Sequence, residues 1–502
     1  MIWLVLLAAC APKGVGTRPQ PDHVTILHTN DMHAHFLPSV AEWRDGRPEI
    51  GGMERLDAEV RWLRAHRPRG SVLLLDGGDV LTGTPLSDLD VNGSKGGAML
   101  DLMEAIGYDA WAVGNHEFDK GLDNLIAFAE DSDVPVLSAN LRKADGSGPL
   151  LPNQAYSTVF ERSGVKVGVI GVTTGSLQTL MRPADFPRIQ LVSVEDAVRA
   201  EVEAIEDEAD IVVVLSHIGI EDDFSLAQHV PGIDLIVGGH SHTPVTEAKK
   251  VGDTWIVQAG SYTRSLGVVD LVVTDDRIAT LSYELRDLVP APDLEASEPV
   301  REMVAAYRQQ IEVHYGEVLA EAAAVLGRDY HHESALGRWI TDALRVSTGA
   351  DVALYNGGGL RADLGPGKVT RGALFDCFPF GNEVVTFEMS GGDLLALLLK
   401  NAFAEAEEKR GFLPVSGVRY SWRATRGAPE IVEATVGGEP LRVDATYVVA
   451  TNSYIVEQWE KFLGVEPRGA RPQGYTDFEA AERFAKERAV ADPGDKRAVR
   501  LE

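Results

Sequence analysis

Asp, Asn and His side chains recur in five short polar stretches in the first half of the chain. The stretches are residues 29–33, 76–79, 114–119, 216–217 and 238–242, and ten of the thirteen histidines precede residue 250. Carboxylate, amide and imidazole groups without thiolates suit borderline divalent ions such as Zn, Mn, Co or Fe. The residue types therefore predict a metal site built from oxygen and nitrogen ligands.

Each polar stretch follows a short apolar run that is predicted to be a β-strand. Predicted strands cover residues 24–28, 71–75, 110–113, 134–137, 165–170, 211–215, 234–237 and 255–258. Predicted helices between them cover residues 53–66, 98–106, 122–130 and 194–206. Short strands separated by helices indicate a layered α/β fold, in which we expect the runs 165–170 and 265–273 to be antiparallel additions to a mixed sheet.

The position of the polar stretches favours one shared site. A single histidine would be weak evidence, because a buried histidine is more often a hydrogen-bonded core residue than a ligand. In open α/β sheets, however, ligands bind beyond the carboxyl ends of the strands. Five stretches at that position are therefore expected to converge.

The strings ILHTNDMHAH, LLLDGGDVLTGTPLS, AVGNHEFD, LSHIG and VGGHSHT resemble the motifs of the 5′-nucleotidase family, in the same order. The resemblance covers most of residues 24–460. It implies an α/β (α+β) fold: a four-layer calcineurin-like metallophosphoesterase domain with mixed β-sheets, then a 5′-nucleotidase C-terminal α+β substrate-binding domain.

The same resemblance implies an activity, the hydrolysis of the phosphate ester of nucleotides by in-line attack of a metal-activated water. Three alternatives stay open within the fold: UDP-sugars, 2′,3′-cyclic nucleotides, or another small ester, including a sulfur ester. A fourth alternative is an inactive nucleotide-binding surface lipoprotein.

Two divalent metal ions, Zn, Mn, Co or similar, are implied as cofactors. By resemblance, Asp31, His33, Asp79 and His242 would hold one ion, and Asp79, Asn115, His217 and His240 the other, with Asp79 bridging. The family often has Gln or Asn where His242 stands. His116 and Asp119 resemble the catalytic dyad, in which the carboxylate keeps the histidine cationic beside the transferring phosphoryl group.

The second half of the chain carries strings that resemble the substrate-binding domain, at residues 333–343, 355–361 and 378–382. Arg361 ends the Gly-rich string YNGGGLR and could grip an anion through two parallel hydrogen bonds. Alone, that string would indicate only a tight turn with an exposed arginine. Beside the first-half motifs, Arg361 and Asn356 are predicted substrate contacts, and Arg328 is a further candidate.

Aromatic side chains are expected to hold the nucleobase. Phe380, in the string FPFGN, would stack on the base. The family's Gly-Gly-Asp element, which accompanies the second stacking ring, is missing where this chain reads ATNSYIVEQW at residues 450–459. Tyr454 is predicted to replace that ring, with Trp459 in reserve.

The N-terminus resembles a bacterial lipoprotein signal. The apolar run MIWLVLLAA precedes Cys10, which would be lipidated, and the run is too short to span a bilayer. The alternative is a misplaced start with a chance cysteine, because no basic residue precedes the run. We expect an exported protein of the periplasm or cell envelope, attached to the membrane only through this lipid.

The predicted domains are a signal and tether over residues 1–21, a metallophosphoesterase domain over 22–288, a linker with a helix at 297–315 over 289–322, and a substrate-binding domain over 323–502. The 502 residues carry a formal net charge of −29, which disfavours a polymeric nucleic acid as partner. A small anionic phosphate ester would then need local positive charge, which metal ions could supply. Only two cysteines occur, Cys10 and Cys377, which excludes a disulfide framework and a thiolate metal site.

Overall fold

The computed structural model describes residues 22–501, apart from 42–43, 45, 292, 408–410, 426–427, 489 and 495. Cys10 and the predicted signal and tether lie outside the described residues. Among the helices that are described, none combines the length and the apolar character needed to cross a bilayer.

The first domain contains two β-sheets packed face to face. One sheet has seven strands, in the spatial order Gln154–Ala155, Val136–Leu137, Ala110–Ala112, Val72–Asp76, Asp22–Thr29, Ser265–Val273 and Ile278–Asp287. The other has six, in the order Ser157–Arg162, Val165–Thr173, Ile211–His217, Leu235–Gly238, Thr254–Gln258 and Lys249–Val251. Both combine parallel strands with antiparallel neighbours, which confirms the predicted mixed character.

Helices cover the outer faces of the two sheets and complete four layers. The helices Met53–His66, Gly97–Ile106 and Leu122–Asp131 lie on the seven-stranded sheet, with Glu298–Tyr315 packed against the first two of them, and Val194–Ile205 and Ile220–His229 lie on the six-stranded sheet. Between the sheets lies a core of aliphatic side chains that includes Ile26, Leu75, Val169 and Val213. Strands covered on both faces read as continuous apolar runs, as in IVVVLSH of Ile211–His217.

Three short strand pairs lie outside the two large sheets of this domain. They are Ser39–Val40 with Glu49–Ile50, Asp90–Val91 with Ser94–Lys95, and Leu141–Lys143 with Ile189–Leu191.

The two runs predicted as antiparallel additions behave differently. Ser265–Val273 is antiparallel to Asp22–Thr29, as expected. Val165–Thr173 is antiparallel to Ser157–Arg162 but parallel to Ile211–His217, so the prediction is wrong for this second neighbour. The strand is longer than predicted and is buried on both faces, as an interior strand must be.

The segment predicted as a linker, residues 289–322, packs into both domains. Its helix Glu298–Tyr315 contributes Val300, Val304 and Tyr307 to the core beneath the first-domain helices. The strand Val318–Ala322 pairs with Gly367–Thr370 of the second domain. The helix is therefore a packed element of the first domain, and the second domain begins inside the predicted linker.

The second domain contains two further sheets. The order is Val415–Ser416, Val352–Leu354, Thr446–Asn452, Glu383–Ser390 and Arg468–Thr476 in one sheet, and Glu439–Pro440, Ala428–Val436, Val418–Thr425 and Ala498–Arg500 in the other. The helices are Ala335–Thr348, Arg371–Cys377, Gly391–Glu407, Ser453–Glu457, Trp459–Phe462 and Asp477–Glu487. The loops that follow Val352–Leu354 and Arg371–Cys377 face the first domain across a cleft.

Candidate active site

The seven predicted metal-binding side chains lie at the carboxyl ends of five strands, where loops from both first-domain sheets meet. Asp31 and His33 follow Asp22–Thr29, Asp79 follows Val72–Asp76, Asn115 follows Ala110–Ala112, His217 ends Ile211–His217, and His240 and His242 follow Leu235–Gly238. The structure thus brings together residues that the sequence separates by more than 200 positions.

Among the described residues, three overlapping groups of side chains place their ligand atoms within 4.8 Å of one another; His33, Asp79 and His116 form one that shares residues with the other two, which are the first and second metal-binding groups. In the first group, His242 Nε2 lies 3.2 Å from Asp31 Oδ1 and 3.0 Å from His33 Nε2. The second group joins Asp79, His217 and His240, whose ligand atoms all lie within 4.8 Å of one another. Both groups correspond to the two ligand sets that the resemblance implies.

Asp79 lies between the two groups. Its Oδ2 atom is 3.9 Å from His33 Nε2 in the first group and 3.1 Å from His217 Nε2 in the second. Burial opposes ionisation, but the neighbouring His217 and His116 hold the pKa of Asp79 well below its usual range. A buried, ionised carboxylate that faces both groups fits the predicted bridging role.

Backbone carbonyls orient two of the buried histidines. Nδ1 of His33 lies 2.7 Å from the Thr82 carbonyl, and Nδ1 of His217 lies 2.7 Å from the Gly77 carbonyl. Because a carbonyl only accepts hydrogen bonds, Nδ1 carries a proton in both rings and Nε2 faces the site, as in many protein metal centres. Burial would lower the pKa of His217, but Asp79 raises it to about 10, so a bound cation would displace the Nε2 proton.

The ligand loops have unusual backbone conformations. Asp31, His33, Asp79, His240 and His242 are in the left-handed region, with φ between 49° and 72°. Such a position costs a residue with a side chain about 1–3 kcal/mol and is typical of functional sites. Hydrogen bonds between the loops offset this cost, including Asp31 N to the Gly78 carbonyl at 2.8 Å and His33 N to the Asp79 carbonyl at 2.9 Å.

Asn115 provides an independent test of whether the site fits a cation. Its Oδ1 atom is buried and has no hydrogen-bond donor among the described residues. A buried acceptor without a donor costs about 1–3 kcal/mol, and a cation would remove that cost. The close approach of the Asn115 loop to Asp79 depends on Gly114, since a Cβ on Gly114 would lie 2.2 Å from Asp79 Oδ1. The residues present therefore fit a pair of divalent cations.

His116 and Asp119 form a close pair beside the two groups. His116 Nδ1 lies 2.6 Å from Asp119 Oδ2, and its Nε2 lies 4.0 Å from Asp79 Oδ2. Burial opposes the charged ring, but Asp119 and Asp79 together raise the pKa of His116. The arrangement can therefore present a cationic imidazole to a group bound at the metal-binding residues.

Glu117 is a supporting residue that the sequence interpretation missed. Its buried carboxyl group accepts hydrogen bonds from the backbone N–H groups of Asp79 (3.1 Å), Leu81 (3.1 Å) and Gly114 (2.7 Å). Burial and the charge of Asp79 raise the pKa of Glu117 to about 8. In the sequence, only its position inside the string GNHEFD pointed to Glu117. The backbone N–H groups of Asp79 and Leu81 come close to Glu117 only in the folded domain.

A cleft of about 1080 Å³ extends from the metal-binding residues to the second domain. Asn356, Arg361, Phe380 and Tyr454 line it opposite His116 and Asp119. Four of the five predicted substrate residues thus share one cleft with the dyad.

Phe380 stacks on the dyad histidine, and Arg361 lies beside Phe380. The Phe380 ring is nearly parallel to the His116 imidazole, at an interplanar angle of 29° and a centroid distance of 5.7 Å. The guanidinium carbon of Arg361 lies 5.7 Å from the centre of the same ring. Arg361 forms no ion pair with any residue that the structure describes, so its charge is available to an anionic substrate.

Arg328 has a different position from the one predicted. It is absent from the cleft wall. Its Nη1 donates to the Leu360 carbonyl at 3.4 Å, and its backbone N–H donates to Asp363 Oδ1 at 2.8 Å. In place of the predicted substrate contact, Arg328 supports the turn that carries Arg361.

Tyr454, the predicted second aromatic ring, lines the cleft, but its predicted reserve does not. Trp459, the predicted reserve, packs against a core cluster of the second domain. Phe462, three residues later, lines the cleft, and its ring centroid is 5.5 Å from that of Tyr454. Both aromatic residues were visible in the sequence, but only packing decides which one faces the cleft.

Two family models match the chain in the order of its domains. The calcineurin-like phosphoesterase model matches residues 24–244, and the 5′-nucleotidase C-terminal domain model matches residues 316–465. This order and the site geometry define a two-domain metallophosphoesterase. The chain belongs to the 5′-nucleotidase family.

Relatives match over nearly the full length of the chain. Protein UshA of Escherichia coli strain K12 is 27% identical over 93% of this chain and 92% of its own. The 5′-nucleotidase of Diplobatis ommata is 28% identical over 95% of this chain and 89% of its own. The crystal structure of a 5′-nucleotidase precursor from Thermus thermophilus matches with a TM-score of 0.83 and 29% identity, over 95% of this chain and 99% of the other. These matches confirm the predicted fold class.

Proposed function

We propose that this protein is a metal-dependent phosphoesterase that releases phosphate from nucleotides. The observation that carries the proposal is a single cleft shared by both metal-binding groups, the His116–Asp119 pair, Arg361 and Phe380. On a chain with net charge −29, His116, Arg361 and the cations that the metal-binding residues would hold provide the local positive charge that a phosphate ester needs. The nucleotidases among the relatives support a nucleotide as the ester.

The first-domain residues would perform the chemistry. One divalent cation would be held by Asp31, His33, Asp79 and His242, and the other by Asp79, Asn115, His217 and His240. When bound, such a pair lowers the pKa of water towards ~7 and neutralises phosphoryl charge. His116, kept cationic by Asp119, would donate a hydrogen bond to the phosphoryl group or a proton to the leaving alkoxide.

The second-domain residues would bind and orient the ester. The Arg361 guanidinium would bind phosphate oxygens, because it faces the cleft without an acidic partner among the described residues. The Oδ1 of Asn356 accepts a hydrogen bond from Asn452 Nδ2 at 2.9 Å, which orients the amide, and its Nδ2 would bind a sugar hydroxyl. The nucleobase would stack on Phe380 and Tyr454, with Phe462 beside Tyr454.

We also propose that the protein is exported and attached by a lipid on Cys10 to the periplasmic face of a membrane or to the cell envelope. The support is the string LAAC after an apolar run. Partition of the full chain into the detergent phase, compared with a Cys10→Ser variant, tests this attachment; equal partition of the two would contradict it.

A phosphate-release screen tests the proposed activity. The purified full chain is stripped with a chelator, reloaded with Zn, Mn, Co or Fe, and offered nucleoside 5′-monophosphates, UDP-sugars, 2′,3′-cyclic nucleotides and p-nitrophenyl phosphate. We expect no hydrolysis without metal and the highest kcat/KM with a nucleoside monophosphate.

A His116→Ala variant serves as the control for the chemistry. It should keep its metal content while kcat falls about 10²–10⁴-fold, because the variant lacks only the cationic donor. A metal-replete wild-type protein that releases phosphate from no ester would contradict the proposal, and a UDP-sugar preferred over every monophosphate would reassign the substrate.

A further inference from the structure

Lys120 directly follows the dyad residue Asp119, and its side chain reaches from the first domain to the second. Its Nζ atom lies 2.9 Å from Asp88 Oδ1 and 3.3 Å from the carbonyl oxygen of Pro379. Pro379 immediately precedes Phe380. The ammonium thus joins the loop that carries the dyad to the loop that carries the aromatic ring stacked on His116.

Asp88 anchors Lys120 firmly to the first domain. It ends the 3₁₀ turn Pro85–Asp88, a few residues after the Asp79 loop. Its Oδ1 also accepts from Lys95 Nζ at 3.3 Å, and its Oδ2 accepts from the hydroxyl of Tyr315 at 3.3 Å. Burial opposes ionisation, but the two ammonium groups hold the pKa of Asp88 below its usual range. The carboxylate is therefore charged at neutral pH and fixes the ammonium in place.

The contact with the second domain is specific to Lys120. Its side chain is only 8% exposed, whereas that of Lys95 is 49% exposed. A lysine that gives up most of its hydration needs several acceptors in return. The second domain supplies the Pro379 carbonyl and the face of Phe375, whose ring centre lies 5.8 Å from Nζ. Lys95 reaches the same Asp88 oxygen without bonding to any described residue of the second domain.

We propose that Lys120 is a positioning residue that holds the 378–382 loop of the second domain against the His116–Asp119 pair. The inference rests on the proposed function, in which Phe380 orients the leaving group. Because the ammonium binds the carbonyl next to Phe380, it fixes the distance between the Phe380 ring and the His116 ring. In a bound substrate, the base and the phosphate are then aligned with the stacking ring and the dyad, which removes part of the free-energy cost of orienting the substrate.

Kinetics with two esters test this role. Lys120→Met should lower kcat/KM for a nucleoside monophosphate about 10–100-fold, because the stacked leaving group is no longer aligned with the dyad. Hydrolysis of p-nitrophenyl phosphate, which has no nucleoside to align, and metal content should stay at the wild-type level. Lys120→Arg, which retains a cation long enough to reach both acceptors, should restore most of the nucleotide activity.

Lys95→Met is the matched control, because it removes the other ammonium from Asp88 and leaves the bond to the second domain intact. It should behave as wild type with both esters. An equal loss on both esters in Lys120→Met, or no loss on either, would overturn the positioning role.

A measurement without substrate separates this inference from the proposed function. Hydrogen–deuterium exchange of the full chain should be faster over residues 378–382 in Lys120→Met and unchanged there in Lys95→Met. Unchanged exchange in both variants would overturn the inference. If the wild-type protein released phosphate from no nucleotide, the proposed function would fail, and the exchange comparison would still decide whether Lys120 holds the loop.

Discussion

At the scale of single residues, Asp79 makes contacts on both of its oxygens. Oδ2 faces the two metal-binding groups, while Oδ1 accepts the backbone N–H of His116 at 2.8 Å. One side chain therefore couples the candidate metal centre to the loop of the dyad. A neutral amide could keep the shape of this side chain but could not offer a charged oxygen to two cations.

We therefore expect Asp79→Asn to lose bound metal and at least about 10³-fold in kcat, because two-metal chemistry needs both ions. Asp119→Asn is the control: among the described residues its side chain contacts His116 rather than a metal-binding group, so metal content should be retained while kcat falls. Metal analysis and phosphate release on the same preparations check both expectations. Full metal content and full activity in Asp79→Asn would contradict the bridging role.

At the scale of elements, the strand Val165–Thr173 of the six-stranded sheet lies in close contact with the seven-stranded sheet. Gly171 lies so close to the seven-stranded sheet that a Cβ would be 2.4 Å from the backbone carbonyl of Leu137. At Gly168 on the same strand, a Cβ would instead meet the Cδ1 of Ile205, the flexible end of a side chain, at 2.6 Å. Backbone cannot rotate away, whereas a side chain can adopt another rotamer.

Gly171→Ala should therefore lower the free energy of unfolding by about 2–3 kcal/mol, and Gly168→Ala by about 1 kcal/mol or less. The same strand pairs Thr173 with His217, so the first variant should also weaken metal binding. Urea unfolding and metal titration of the two variants measure these differences. Equal losses of stability in Gly171→Ala and Gly168→Ala would contradict the importance of the backbone contact at Gly171.

At the scale of the whole molecule, the two domains touch through Tyr454 as well as Lys120. The Tyr454 hydroxyl donates to the Thr179 carbonyl of the first domain at 3.0 Å, and its ring lines the cleft. The hydroxyl and the ring can be separated experimentally. The bond holds the domains together, whereas the ring is the part proposed to bind the base.

Tyr454→Ala should raise KM for a nucleoside monophosphate about tenfold, since an aromatic stack is worth roughly 1–1.5 kcal/mol. Tyr454→Phe keeps the ring and loses only the bond to Thr179, so its KM should stay close to that of wild type. Steady-state kinetics with a monophosphate, and with p-nitrophenyl phosphate as the ester without a base, distinguish the two. An unchanged KM in Tyr454→Ala would remove this ring from the substrate site.

The sequence by itself determined the strand–helix order and indicated the polar residues that the structure gathers in the metal-binding groups. The helix predicted over 53–66 is observed as Met53–His66, and the polar stretches follow their strands as expected. These features are local, because an apolar run and the polar residues just after it lie within a few positions of one another. The carboxyl ends of parallel strands place Asp31 and Asp79 at one edge of the seven-stranded sheet, and His217 and His242 at one edge of the six-stranded sheet; the packing of the two sheets then brings the two sets together.

Only the tertiary structure decided which side chains of the second domain face the cleft. Phe462 rather than Trp459 lies beside Tyr454, Arg328 supports a turn, and Lys120 reaches Pro379 across 259 positions of sequence. The first two contacts depend on packing within the second domain, and the third depends on how the two domains pack against each other. No spacing of residues along the chain encodes this packing, because the packing depends on the shapes of all the surfaces that come into contact.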